Sequence, residues 1–221
     1  ANIPKGVNFI EMDICDKRII DVFERNKFEA VVHLAAQTMV NASIDDPIYD
    51  SDNNIRGTIN ILEACRKTGV RRIVFSSTAA VYGDVSAVPV LEDFTTDPLS
   101  FYGLSKHTVE RYLELYRQLH GLEYAALRFA NVYGERQGDG GEGGVVSIFT
   151  RLLRQGCSLQ LFGDGKQTRD FVYAGDVAAA VAASLASQVP SGTYNVSTGK
   201  QTSLLELIET MSRISGAKPQ V

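Results

Sequence analysis

The apolar positions of this chain switch repeatedly between two periods. In "VNFIEMDI" (7 to 14) Val7, Phe9, Ile10, Met12 and Ile14 interleave with polar residues, which predicts a strand. In "KRIIDVFERN" (17 to 26) the apolar positions set Ile19, Ile20 and Phe23 on one face of a helix. "FEAVVHLAA" (28 to 36) is a near-continuous apolar run, the pattern of a strand covered on both faces in a parallel sheet. A long helix is expected from about Asp50 to Lys67, with Ile55, Ile59, Leu62 and Cys65 at helical spacing and Gly69 as its stop. "RRIVFSST" (71 to 78) predicts another buried strand. A loop containing Pro89 and Pro98 leads into a helix over 101–119 whose apolar side is Val109, Tyr112, Leu113 and Tyr116, and "EYAALRFA" (123 to 130) is the next strand. Strand and helix alternating at this spacing predict a doubly wound parallel sheet.

Beyond Asn131 the rhythm changes. "ERQGDGGEGG" (135 to 144) reads as a glycine-rich loop over the substrate side, followed by a helix "VVSIFTRLLRQG", short strands "LQLFG" and "RDFVY", a helix over 176–187, a strand "GTYNVST" and a helix "SLLELIETMSRISG". The division expected is a sheet domain over 1–131 and a smaller α/β lobe over 132–221 that interleaves with it.

Composition narrows the function. The chain has 221 residues, is 44% hydrophobic and carries a net charge of −4, with one basic cluster, "RKTGVRR" (66 to 72), at a helix end. Nucleic acid is therefore not an expected partner. No charged start precedes an apolar core, and the most apolar run, "VAAAVAASLA", is too short to cross a bilayer, so a soluble cytoplasmic protein is expected. Cys15, Cys65 and Cys157 form no C-x-x-C and read as reduced core or near-core thiols. His33, inside an apolar strand, reads as a hydrogen-bonded core histidine.

Open parallel sheets bind ligands at the carboxyl ends of their strands, and those ends are polar here. One strand runs into Ser76, Ser77 and Thr78, another into Ala35, Ala36 and Gln37. On the helix after Thr78, Tyr102 and Lys106 stand one turn apart on the same face. A hydroxyl, a phenol and an ammonium converging on one edge suit alcohol oxidation by a nicotinamide, in which a base takes the hydroxyl proton as the carbon loses hydride. Free tyrosine, with a pKa of about 10, is a poor base at neutral pH; a lysine one turn away favours the phenolate. Thr78 would hold the reacting oxygen.

"SSTAAVYG", "DPLSFYGLSK", "LRFANVYG" and "GDGKQTRDFVYAGDVA", in this order and spacing, resemble the extended short-chain dehydrogenase/reductases, in the nucleotide-sugar epimerase/dehydratase branch and closest to UDP-glucose 4-epimerase-like proteins. The resemblance spans essentially the whole chain. It implies a Rossmann-like fold, bound NAD, a UDP-hexose type of substrate, and Thr78, Tyr102 and Lys106 as the catalytic triad, with Lys106 also on the nicotinamide ribose. It further implies Asp13 and Ile14 on the adenine side; Leu34, Ala35, Ala36 and Gln37 along the cofactor; and Asn53 beside the nicotinamide half. Asn131 is implied at the substrate diphosphate, Gln160, Leu161 and Phe162 at the nucleotide base, and Arg169 at a phosphate. Plainer readings stand beside these. Asn53 could bridge within its helix, Asp13 could be a turn residue, and Arg169 could pair with Asp170.

The residues after Thr78 discriminate among reactions. Sugar dehydratases of this superfamily carry an Asp-Glu pair there and decarboxylases usually a glutamate, whereas this chain has Ala79 and Ala80. Methyl groups cannot protonate a leaving hydroxyl, so the resemblance implies 4-epimerisation through a transient 4-keto sugar in preference to dehydration, decarboxylation or reduction. A non-catalytic, cofactor-sensing relative is disfavoured because Tyr102 and Lys106 are both present. Two departures from the family pattern stand out. "GGVV" (143 to 146) occupies a place where many UDP-hexose epimerases have asparagine. The opening "ANIPKGVNFIEMDI" resembles the approach to a third strand, with no G-x-x-G-x-x-G turn before it. The chain is thus expected to be part of a longer protein, without the first two strands and the C-terminal end, and to bind NAD weakly by itself. A homodimer through the helices at 50–67 and 101–119 is implied by resemblance alone.

Overall fold

The computed structural model describes residues 3–85, 87–138 and 144–217. Its frame is a four-stranded parallel sheet in the order β1 (Ala30–His33), β2 (Arg72–Thr78), β3 (Glu123–Phe129), β7 (Gly192–Val196). Successive side chains of a strand point to opposite faces, and the burial follows that rule. Ile73 and Phe75 of β2 join Tyr124 and Ala126 of β3 against α1 (Ile19–Asn26), α4 (Gly57–Thr68) and α5 (Phe101–His120). Val74, Ala125 and Leu127 face the other way, toward Val181 of α7 (Ala174–Ser184). Helices on both faces of a parallel sheet make this a Rossmann-like α/β fold.

Two strand expectations fail for a common reason. Residues 7–14 alternate as a strand should, yet no strand pairs with them among the described residues; Val7, Phe9 and Ile10 are exposed, while Met12 and Ile14 pack on the core. "LQLFG" likewise joins no ladder, and Leu159 instead packs with Phe149 and Leu153 of α6 (Val145–Gln155) and Ile208 of α8 (Leu204–Ser215). Alternation shows that a strand is possible; a neighbour's hydrogen bonds make it one. β1 is also less covered than its sequence implies. Val31 faces the helical side, but Val32 shares the face of Val74 and is 38% exposed, while α7, on that face, packs over β3.

The helix expected over 50–67 is longer and uneven. α3 (Pro47–Ser51) runs into a single π-turn (Asp52–Arg56) and then α4, so the helix is continuous from Pro47 to Thr68 and ends on Gly69 at φ 77°. The wider turn rotates the inward face: Asn54, Thr58, Ile61 and Leu62 are buried, and Ile55 and Ile59 only partly. α2 (Val40–Asp45) precedes it, and Asp46 caps α3 by accepting from the Tyr49 N–H.

After β3 the chain forms β4 (Asn131–Tyr133), α6, β5 (Thr168–Arg169), β6 (Phe171–Tyr173), α7, β7, β8 (Thr202–Ser203) and α8. "RDFVY" is thus two strands bent at Asp170, whose carboxylate accepts hydrogen bonds from the Thr198 N–H and hydroxyl and the Gly199 N–H. α6 and α8 build a small core of their own, while β7 returns to the main sheet. The cysteines are free. Cys65 is buried and Cys15 half-buried, but Cys157 is exposed, contrary to its expected place near the core.

Candidate active site

The carboxyl edge of the sheet brings Thr78, Tyr102 and Lys106 together. β2 ends at Thr78, whose Oγ1 caps the 3₁₀ turn Ala79–Tyr82 by accepting from the Ala80 N–H at 3.2 Å, leaving the hydroxyl hydrogen free to donate. α5 starts at once beside it: the Ser100 hydroxyl accepts from the Gly103 N–H, and Gly103 lies so close to the Ala80 carbonyl that a Cβ there would sit 2.7 Å from its oxygen. Glycine at this position lets the first turn of α5 press onto the end of β2. Lys106 is 2% exposed; its Nζ lies 4.7 Å from the Phe75 ring centroid and 6.0 Å from that of Tyr102, and it donates to the Ser76 carbonyl at 2.8 Å.

The electrostatics differ from the sequence expectation. Burial pushes the Tyr102 phenol up; the Thr78 hydroxyl, facing it, works the other way by stabilising the phenolate, and the Asp50 carboxylate adds to the rise. The Lys106 ammonium makes its hydrogen bond to the Ser76 carbonyl. Lys106 is itself pushed down to about 8 by burial, with Asp50 opposing. In the protein alone, the phenol is therefore held protonated.

Under this pair lies a polar network that sequence reading did not single out. Asn54, in the π-turn, accepts from the Gln37 N–H (2.8 Å) and donates to the Gln37 carbonyl (3.0 Å), to Asp50 Oδ1 (3.1 Å) and to Ser105 Oγ (3.1 Å). Gln37 Nε2 donates to the same Asp50 oxygen at 2.8 Å, and the Ser43 hydroxyl accepts from the Tyr102 N–H at 3.1 Å. Asp50, Asn54, Ser43 and Ser105 are all buried. A second network braces the strands: Arg128 grips Glu110 through two bonds of 2.7 and 3.0 Å, Ser77 donates to Glu110 at 2.5 Å, and Arg128 donates to Tyr82, which donates to Asn195 of β7. Losing one partner of such a buried pair costs about 3–5 kcal/mol.

The other expected residues fall into place as follows. Leu34 and Ala35 are exposed and Ala36 and Gln37 half-buried, all at the exit of β1. Asn53 is half-buried and donates to the Tyr49 carbonyl, bridging within its helix. Asp13 forms a turn, its carboxylate accepting from the Cys15 N–H at 2.7 Å, and the Ile14 carbonyl is held by Asn60. Asn131 is exposed on β4, its N–H bound to the Asp170 carbonyl. Gln160 and Phe162 are exposed, with Leu161 packed toward the α6–α8 core. Arg169 forms no ion pair with Asp170 and donates to the Thr168 carbonyl. His33 is a core residue: its Nε2 lies 2.9 Å from Thr58 Oγ1, and burial pushes it down to about 4. Of "GDGGEGG" (138 to 144), residues 139–143 lie outside the described residues.

Two concavities, neither lined by Thr78, Tyr102 or Lys106, lie elsewhere, one of about 390 Å³ at the opposite end of the sheet by Phe23, Lys27 and Arg71, and one of about 810 Å³ between the ends of β4 and β6 and helix α6. The larger holds Arg136, Arg151 and Arg154, and its Glu135 carboxylate is engaged by the Tyr173 hydroxyl. Arg151 and Arg154 stand three apart on α6, while Arg136 comes from the segment after β4, so no single local motif announced the three together.

Known proteins share this sequence and fold. The chain is 40% identical over 213 residues to a UDP-glucose 4-epimerase of Mycolicibacterium smegmatis, covering 95% of this chain and 67% of that protein. Its fold matches the UDP-glucose 4-epimerase of Thermotoga maritima solved with UDP-glucose (TM-score 0.92, 38% identity, 100% of this chain and 74% of that one). It also matches the UDP-glucose 4-epimerase of Thermus thermophilus in complex with NAD (TM-score 0.93, 40% identity, 100% of this chain and 73% of that one). The family described as NAD dependent epimerase/dehydratase matches residues 1–197, and the chain belongs to it.

Proposed function

We propose that the protein is an NAD-dependent nucleotide-sugar 4-epimerase acting on a UDP-hexose, an isomerase whose sugar passes through a transient 4-keto form. The observation that carries the reading is the convergence of Thr78, Tyr102 and Lys106 at one sheet edge, followed by two alanines instead of acidic residues. Relatives that bind NAD or UDP-glucose support the same choice.

The residues present fit the nicotinamide end of NAD. Lys106 is a buried ammonium with three donors, of which the Ser76 carbonyl takes one, so donors remain for ribose hydroxyls at the exit of β2. Bound NAD supplies a hydride acceptor and a positive charge at the sugar carbon. Tyr102, as the phenolate that this positive charge and the Thr78 hydroxyl favour, takes the proton of the sugar 4-hydroxyl and later returns it, and the Thr78 hydroxyl donates to the phenolate or to the sugar oxygen, holding both in line. Ala79 and Ala80 offer no acid to expel a neighbouring hydroxyl. In the second lobe, residues 132–221, Asn131 at its border and Arg169 serve the diphosphate, Gln160 to Phe162 serve the base, and Arg136, Arg151 and Arg154 add positive charge nearby. Leu104, Leu115 and Leu119, exposed along α5, support a homodimer built on that helix.

The test is product analysis. Incubation with UDP-glucose and NAD is expected to give a second UDP-hexose of unchanged mass, resolved by chromatography and identified by the C4 proton coupling in NMR. A product lighter by one water would overturn the reading.

A further inference from the structure

Two buried opposite charges near Tyr102 have no direct partner. Asp50 is 1% exposed and Lys106 2% exposed, and neither forms an ion pair among the described residues. A buried carboxylate held only by two neutral amides, from Gln37 and Asn54, is costly unless a cation faces it. The group placed to do so is Lys106, one turn beyond Tyr102, and Asp50 is the one charged group that favours the Lys106 ammonium against its burial. From Asp50 a continuous hydrogen-bonded path runs to the first turn of α5: Asp50 Oδ1 accepts from Asn54, Asn54 donates to Ser105, and Ser105 donates to the Tyr102 carbonyl at 3.0 Å. The same Asp50 oxygen fixes Gln37 at the exit of β1.

We propose that Asp50 is a positioning residue for the reacting pair: its carboxylate balances the Lys106 charge from across the π-turn and, through Asn54 and Ser105, sets the first turn of α5 that carries Tyr102. The inference rests on the reading of Tyr102 and Lys106 as the reacting pair. It explains why the helix widens to a π-turn at this point, since the extra residue brings Asn54 inward between Asp50 and Ser105.

A plainer account makes Asp50 an ordinary buried acceptor for two amides, and a charge cycle separates the two. Asp50→Asn keeps the size of the side chain and one acceptor oxygen. In the wild-type background it should lower the melting temperature, because Lys106 loses its counter-charge; in a Lys106→Met background it should raise it, because the unbalanced carboxylate is gone. The same fall in both backgrounds would overturn the proposal. If Asp50→Asn alone fails to fold, recovery of a folded protein by adding Lys106→Met supports the proposal, and failure of both variants overturns it. In turnover, Asp50→Asn should reduce kcat by about tenfold or more while KM changes little, as expected for a misplaced reacting group. Loss in KM alone would contradict it. Absence of any turnover in the wild-type protein would sink the epimerase reading and leave the melting cycle valid.

Discussion

At Tyr102 and Lys106, burial works against the charged form of each side chain, raising the phenol and lowering the ammonium to about 8. Their spacing was readable from sequence, because residues four apart on a helix share a face. Their charge balance was not. Asp50, Asn54 and Ser105 are polar residues in helices, and such residues usually mark a solvated face; here they are buried. His33 was legible in the same terms as its strand, as a polar residue inside an apolar run that must find a partner, which is Thr58. Its pKa, pushed down to about 4 from 6.5, has a thermodynamic consequence. Between these values the unfolded chain binds a proton that the folded one refuses, so stability falls as pH drops from 6.5 toward 4, by a total on the order of 3 kcal/mol. Urea unfolding between pH 5 and 7 should show this slope, and His33→Gln should flatten it; an unchanged slope would mean that His33 is protonated without opening the core.

Among the elements, the buried strands and long helices follow their periodicity, and the exceptions have physical causes. Residues 7–14 and 159–163 carry strand-like sequences without ladder partners among the described residues, a non-local condition that local pattern cannot report. The π-turn at Asp52–Arg56 rotates the inward face of its helix, which is why the face anticipated through Ile55 and Ile59 is instead Asn54, Thr58 and Ile61. Gly103 is the tightest point between α5 and the end of β2. Gly103→Val would force the first turn of α5 away from the Ala80 carbonyl and carry Tyr102 with it. A displacement of about 1 Å is enough to cost roughly 10²-fold in turnover. The expected outcome is that loss with the overall fold retained by circular dichroism; wild-type turnover in this variant would show that the close approach does not position Tyr102.

On the scale of the molecule, the chain crosses from sheet to second lobe near Asn131 and comes back as β7, so neither part is a segment closed on itself. Arg128, Glu110, Tyr82 and Asn195 tie β3, α5, the turn after Thr78 and β7 into one buried network, which holds the end of β2 in register with the returning strand. Sequence showed the change of rhythm at 131 but not the returning strand's place, because strand order depends on contacts between residues far apart in the chain. The proposed reaction turns on one chemical event, the movement of the sugar proton to and from the Tyr102 oxygen. Steady-state turnover of UDP-glucose by Tyr102→Phe in the full-length protein, measured beside its NAD content and melting temperature, tests that role most directly. The predicted result is a fall of roughly 10²–10⁴-fold with NAD content and melting temperature close to wild type; undiminished turnover would contradict it.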